Sequence, residues 1–450
     1  MRAAFIFIYM KRTLEKGSKK LINAWAFYDW ANSVYSLVIS TAVFPIYYDG
    51  MTSAMANSQG EIEFLSTLWN STTLLNYTIG FYMLVVAFIS PILSGIADYT
   101  GNKLKFLKFF CLLGSLSVAC LFFFKDESTL WVGILCTITA GIGFWGSIVF
   151  YNAYLPEVAH PEQQDNVSAK GFIYGYLGSV LLLILSLVLI ETEVFGLYDK
   201  AFGSRITFLL VGIWWIGFAQ ITYKRLSKLP MGERQKASSQ SIIWSGFKEL
   251  KTVANEIVGY PQLRTFLISF FLFSVGAQTI IYMAGIFGSN ELGLPTMNLI
   301  LTILVVQLVA VVGAYLFSRL SNRIGNIKTL KITIAIWCLV CFIAFMIDKS
   351  QENVELYFYG LGGLLGLVLG AIQSISRSTY SKLLPETNDT ATYFSFYDVT
   401  EKIAIVLGMI VFGLLISITG SMQWSVLSLG VFFLISFVVL STIGKTKYVK

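Results

Sequence analysis

The sequence predicts an all-α membrane protein: twelve transmembrane helices arranged as two pseudo-symmetric six-helix bundles. Three observations carry that prediction. The composition is 56% hydrophobic and only 13% charged, with a mean hydropathy of +0.71. A soluble domain carries about 25% charged residues, so this chain cannot cover itself with polar surface. Next, about twelve apolar stretches are each long enough to cross a hydrocarbon core of about 30 Å. Finally, the chain repeats its own turn signals once. Tyr151-Asn152-Ala153-Tyr154-Leu155-Pro156-Glu157 returns as Tyr380-Ser381-Lys382-Leu383-Leu384-Pro385-Glu386, the two prolines lying 229 residues apart, and at that offset Gly141 falls on Gly370. Ser94–Asn102 is echoed in the same way by Ser318–Asn326. A hydrophobic chain that repeats half-way along is the pattern of a two-bundle membrane protein.

The spans follow in order. Residues 24–48, 77–97, 106–124, 130–154, 168–190 and 205–223 make the first six. Residues 263–288, 296–318, 328–347, 356–381, 393–417 and 423–443 make the second six. Helices are expected because lipid satisfies no open backbone, and nothing here has the short alternation of a barrel. A long polar outer loop free of Lys and Arg, about residues 49–76, follows the first span. Residues 224–262 are the largest cytoplasmic segment and divide the spans six and six. Within it Ile242, Ile243, Trp244, Phe247, Leu250, Val253 and Ile257 recur at helical spacing with Lys248, Glu249 and Lys251 between them. That pattern predicts an amphipathic helix at the inner membrane surface, or simply a spacer joining two bundles. The domain plan is thus an N-terminal segment 1–23, a bundle 24–223, a linker 224–262, a second bundle 263–443 and a tail 444–450. Gly141, Gly143 and Gly146 in span four, and Gly362, Gly366 and Gly370 in span ten, predict close helix packing.

The net charge of +7 is no nucleic-acid signal, because the basic residues are dealt out by side. Of 32 Lys and Arg, only Lys125, Lys200, Arg205 and Lys349 fall on the opposite side from the rest. The positive-inside rule then puts both termini in the cytoplasm, with the spans in the cell (inner or plasma) membrane. Cys111, Cys120, Cys136, Cys338 and Cys341 all lie in apolar spans and read as packing residues, and His160 stands alone in a polar loop. No metal and no cofactor is expected. The short apolar run Phe5–Tyr9 ahead of Met10-Lys11-Arg12 has no small-residue cleavage site, which predicts translation starting at Met10.

Ionisable residues inside lipid are costly, so each is a functional candidate. In span one Asp29, Asn32 and Ser33 share a helical face next to Tyr28. Asp29 suits a proton carrier or, equally, a structural ion pair or helix-entry cap near the inner interface. In span eleven Asp398 and Lys402 are four apart and can pair, leaving Glu401 to face another helix. Asp398, taken as lying near the start of that helix, would be favoured by the helix dipole. These three serve either as structural charges or in handling substrate and protons. Asn152, Tyr174, Gln278, Gln307, Gln373 and Arg377 complete the polar candidates, with Arg377 able to snorkel or to pair with Glu401 or Asp398. Between spans two and three, Gly95, Asp98, Gly101 and Lys103 form a tight turn in which Asp98 can accept from a neighbouring helix N-terminus or an arginine. Arg319, Arg323 and Gly325 occupy the matching turn after span eight, and both turns are candidate conformational latches.

The first of these turns resembles the signature loop of the major facilitator superfamily, G-x-x-x-D-R-x-G-R-[RK], with Tyr99 and Asn102 where arginines usually stand. More particular are Trp25-x-x-Tyr28-Asp29-Trp30-Ala31-Asn32-Ser33, Asn152-Ala153-Tyr154-Leu155-Pro156, Gln373-Ser374-x-Ser376-Arg377-Ser378 before Leu384-Pro385-Glu386, and Phe394-x-Phe396-Tyr397-Asp398. Together they resemble the vacuole-effluxer branch of that superfamily, the autophagy-related fungal effluxers and their bacterial relatives, over about residues 22–443. The resemblance implies a twelve-helix, six-plus-six fold, alternating access and, for the fungal members, release of neutral amino acids.

The expected function is secondary transport of a small polar solute, with a proton as coupling ion and Asp29 and Glu401 as its carriers. A cavity lined by Tyr28, Asn32, Asn152, Tyr174 and Gln278 would suit an amino acid, and a sugar or nucleoside almost as well. No P-loop pattern is present for ATP, and one histidine supports no Ser-His-Asp set. A membrane enzyme and a non-transporting sensor or scaffold on the same fold are the other classes weighed.

Overall fold

The computed structural model describes residues 14–58, 60–196, 198–229 and 242–443. The expected start at Met10 and the basic tail Lys445–Lys450 lie outside the described residues. The first crossing is built from three consecutive helical pieces: α1 (Lys19–Val34), a π-helical segment (Tyr35–Val43) and α2 (Phe44–Met55). The widening shows in the Phe44 amide, which donates to the Ile39 carbonyl five residues earlier, and Pro45 then opens α2. Among the described residues, eleven further helices are long and apolar enough to cross a membrane.

Those helices are α3 (Ser71–Thr100), α4 (Lys103–Cys120), α5 (Leu130–Ala153), α6 (Gln164–Gly196) and α7 (Lys200–Leu226). After α8 (Ile242–Gly259) come α9 (Pro261–Ile286), α10 (Thr296–Ile324), α11 (Asn326–Met346), α12 (Val354–Leu383), α13 (Thr390–Thr419) and α14 (Met422–Ser441). They overrun most of the expected spans by a few residues, because polar residues at the ends continue the helix into the interfacial layer.

Two corrections follow. The outer loop is shorter than the expected 49–76: α2 runs to Met55, and α3 begins at Ser71 with Asn70 accepting from the Thr73 amide. What lies between carries an antiparallel hairpin, β1 (Glu61–Phe64) with β2 (Thr67–Asn70), so the chain is not wholly helical. Alternation over four residues was too short a signal to stand out beside twelve apolar runs. In addition, α13 starts at Thr390, so Asp398 sits two turns inside the helix, beyond the first turn where the dipole acts.

The chain forms two compact units. One comprises the residues through His160 with Gly178–Glu249 and Asn388–Thr392; the other comprises Pro161–Leu177, Leu250–Thr387 and the residues from Tyr393. In the first unit α1 packs on α7, α4 on α5 and α7, and α3 on α5. In the second, α9 packs on α14, α11 on α12 and α14, and α10 on α12. These are the same four pairings repeated, which is the structural form of the sequence repeat.

Small residues make the closest of these contacts possible. A Cβ on Gly370 would overlap the Ala310 carbonyl oxygen, one on Gly366 that of Val306, and one on Gly313 that of Leu367, so α10 and α12 meet backbone to backbone. In the first unit a Cβ on Gly141 would meet the Tyr82 ring of α3 at 2.6 Å. The α1–α7 seam is aromatic: Trp30 and Trp214 stack at 5.4 Å, and the Trp214 indole donates to the Trp30 carbonyl at 3.0 Å. Outward faces are apolar, as with Tyr77, Phe81, Leu84 and Phe88 at helical spacing along α3, all exposed. For α8, Val253 and Ile257 are buried while Trp244 and Phe247 remain exposed.

Candidate functional site

Four polar clusters lie within the helices and at their ends, two in each unit. In the first unit α1 buries Tyr28, Asp29 and Asn32 against α5. The Tyr151 hydroxyl donates to the Asp29 carboxylate at 2.8 Å. Tyr151 is fixed in turn: its ring stacks on Trp25 at 4.5 Å, and its carbonyl accepts from the Trp25 indole at 2.9 Å. The Tyr28 ring lies 5.0 Å from the same tyrosine. Asn152, the next residue, is buried too. Asn32 is fully buried, and its Nδ2 finds no acceptor among the described residues.

In the second unit Asp398 and Lys402 form an ion pair buried on both sides. Glu401 is turned to α9, where Gln278 donates to it at 2.7 Å. Arg377 is buried on α12; its Nε donates to the Ser168 hydroxyl at 3.0 Å and its Nη2 to the Ser168 carbonyl at 2.8 Å. The guanidinium stacks on Phe172 at 4.1 Å. One turn away the Tyr176 hydroxyl donates to Gln373 at 2.7 Å. Tyr174 takes another part, lying under the Lys170 ammonium at 5.5 Å. The sequence had suggested Glu401 or Asp398 for Arg377; these two hydrogen bonds go to Ser168, which the sequence shows only within a chance Asn-Val-Ser glycosylation-acceptor pattern.

The remaining two clusters sit at helix ends. In the first unit Gly101 takes a left-handed φ of 63° to end α3, a conformation that favours glycine. This presents Asp98 to the start of α13. Its carboxylate accepts from the Thr392 amide at 2.7 Å, the Thr392 hydroxyl at 2.8 Å and the Ala391 amide at 3.3 Å. Lys103 lies 3.7 Å from Asp98, pairs with Glu157 and donates to the Thr390 hydroxyl at 2.8 Å. Gly95 lies buried one turn before Asp98. An acid at the end of a helix thus satisfies the free N–H groups of another.

In the second unit Gly325 makes the matching turn with a φ of 87°. Here Asp165, at the start of α6, accepts from the Ser321 hydroxyl at 2.7 Å and from Asn326 Nδ2 at 2.8 Å. Lys382 pairs with it at 2.7 Å and donates to Asn326 Oδ1 at 3.0 Å. Arg319 and Arg323, expected in this turn, are placed otherwise: Arg319 stacks on Tyr315 at 4.3 Å and Arg323 is exposed. Asp165, Asn326 and Lys382 were missed. The signals were an acid in the first turn of a helix and a lysine just before the repeated Leu-Pro-Glu.

A family model described as "Vacuole effluxer Atg22 like" matches residues 17–448. The chain is 32% identical over 422 residues, 93% of itself and 94% of the relative, to the "Uncharacterized MFS-type transporter YxiO" of Bacillus subtilis strain 168. It is 24% identical to "Autophagy-related protein 22-1" of Penicillium rubens, over 78% of this chain and 72% of that one. Among solved structures it resembles FucP, a major facilitator superfamily transporter crystallised in the outward conformation, with a TM-score of 0.67, 15% identity and coverage of 95% and 98%. The proton:xylose symporter XylE aligns at a TM-score of 0.65 and 13% identity, over 93% and 94%. These likenesses to solved structures carry the fold alone; the family rests on the sequence matches. The chain is a multi-pass membrane protein of the major facilitator fold, and it belongs to the vacuole effluxer Atg22-like family, a family of transporters and not of enzymes.

Proposed function

We propose that this chain is a secondary active transporter that moves a small polar solute, an amino acid, by alternating access coupled to protons. The proposal includes bundles at 24–223 and 263–443, a linker 224–262, and both termini on the cytoplasmic side of the cell membrane. One observation carries it. Each unit holds one membrane-level carboxylate bonded to an uncharged donor, Asp29 by Tyr151 and Glu401 by Gln278. Asp398 differs, because its protonation would leave the buried Lys402 ammonium without a counter-charge. Arg377, desolvated and stacked on an aromatic ring, suits the carboxylate of an amino acid. The turn residues Asp98, Gly101 and Lys103, with Gly325 and its Asp165 network, act as latches in this reading.

The test begins with thermal-shift screening of the detergent-solubilised chain against amino acids, sugars, nucleosides and small peptides at two pH values. A ligand of the folded state raises its stability by about 2.7 kcal/mol at a hundred times its dissociation constant. The hit is then followed in proteoliposomes. Asp29→Asn and Glu401→Gln are each expected to abolish accumulation driven by a pH gradient while leaving substrate counterflow. Undiminished pH-driven accumulation in both variants would remove the proton role. A hit among sugars or nucleosides alone would replace the amino acid.

A further inference from the structure

Within the second unit, α6 and α10 flank an open cavity of about 500 Å³ that is lined by none of the transport residues above. Asn166, Lys170 and Ile173 line it from α6, at positions i, i+4 and i+7. Tyr315, Arg319 and Asn322 line it from α10 with the same spacing, so two matching helical stripes form its walls. Asn322 donates to Asn166 at 3.0 Å across the gap and closes one end. Both cations are propped by aromatic rings of their own helices, Lys170 over Tyr174 at 5.5 Å and Arg319 over Tyr315 at 4.3 Å. Among the described residues the lining contains no carboxylate.

We propose that this cavity binds the phosphate of an anionic glycerophospholipid from the cytoplasmic leaflet, gripped by Lys170 and Arg319. Depth favours a lipid over a soluble anion. The 29 residues of α10 make a helix of about 43 Å against a hydrocarbon core of about 30 Å. Arg319, five residues from the end of that helix, therefore stands at the boundary between acyl chains and headgroups. Below it, Leu301, Leu308, Val312 and Tyr315 are all exposed on one face of α10, an apolar track for acyl chains that leads to the cations. Basic pockets between membrane helices at the cytoplasmic surface are suited to anionic headgroups. The leaflet rests on the sidedness of the Lys and Arg residues and not on which solute is carried.

The experiment is native mass spectrometry of the full-length protein released from detergent with phosphatidylglycerol or phosphatidylcholine, the latter having no net charge. The wild type is expected to retain phosphatidylglycerol, and the Lys170→Gln, Arg319→Gln double variant to bind it at least tenfold more weakly. A variant with exposed cations removed elsewhere, Lys105→Gln with Lys224→Gln, should bind as the wild type does. The charge-conserving Arg319→Lys should keep most of the binding. Equal retention by the wild type and the double variant, or equal retention of phosphatidylcholine, would overturn the proposal. So would displacement of the lipid by millimolar inorganic phosphate, which would make this a site for free anions. If the double variant does not fold, Arg319→Gln alone carries the same comparison, because that side chain is exposed.

Discussion

The turn between α3 and α4 and the turn between α10 and α11 repeat one stretch of sequence, yet they place their charges in opposite ways. Both end a long helix on a glycine with positive φ followed by asparagine. In the first unit the turn brings the carboxylate, Asp98, and the start of α13 brings the donors. In the second unit the start of α6 brings the carboxylate, Asp165, and the turn brings the donors Ser321 and Asn326. The two acids also do different work. Asp98 serves backbone N–H groups, while Lys103 beside it has Glu157 as a second partner. Asp165 neutralises Lys382, and both side chains are buried. The repeat preserves the path of the backbone; the electrostatics are settled separately in each half.

Removing each acid should make that difference measurable. Asp165→Ala leaves a buried ammonium without its partner and should cost about 3–5 kcal/mol, the largest effect expected. The paired replacement Asp165→Leu with Lys382→Met should recover most of it in thermal unfolding of the detergent-solubilised protein. If the single and the paired variants unfold together, Lys382 is not the reason for Asp165. The helices leading to the two turns differ too. Gly370→Ala drives a methyl group into the backbone of α10 and should cost about 1–3 kcal/mol, whereas Gly141→Ala meets a tyrosine ring that can shift and should cost less. Equal losses would mean that α10 and α12 can separate freely.

Asp98→Ala removes a helix cap and should cost about 1–2 kcal/mol. Its local signature is faster hydrogen exchange at the Ala391 and Thr392 amides, and unchanged exchange there would rule out the cap. The smallest effect belongs to the turns at the other ends of α4 and α11, where Asp126 is half-buried and Asp348 exposed. Hydrogen bonds from Ser128 and Thr129 hold the Asp126 carboxyl below the usual carboxylate value, and bonds from Ser350 do the same for Asp348. A lowered folded-state value contributes stability above the unfolded value of about 3.9 and loses it as the pH falls through the folded one. Acidification below about pH 4 should therefore loosen these turns, seen as faster exchange at the Thr129 and Ser350 amides, with little change in the midpoint of unfolding.

Much of this was legible in the sequence because lipid imposes a coarse rule. Apolar length marked eleven of the crossings, and the repeated Leu-Pro-Glu gave the two-fold relation that the helix pairings repeat. The first crossing was legible by length, but its π-helical middle was not, since Tyr35–Val43 differs in hydrogen bonding and not in composition. Asp98, Gly101 and Lys103 were found because a turn is local in sequence. Asp165 and Lys382 were not, because their pairing joins residues more than two hundred positions apart. The β1–β2 hairpin was missed for a different reason. Its turn uses Leu65 and Ser66 at φ of 53° and 60°, where a sequence reader looks for Asn or Gly.

The stacked indoles of Trp30 and Trp214 give the α1–α7 seam an optical signature. Aromatic rings held in a fixed asymmetric setting produce near-ultraviolet circular dichroism, and that signal fades when the setting loosens. Trp30 follows Asp29 directly in the chain, so the chromophore is attached to the residue expected to take up the proton. A titration of the unlabelled protein should then register in its own spectrum, and replacing Trp214 with Phe would identify how much of the band this pair supplies.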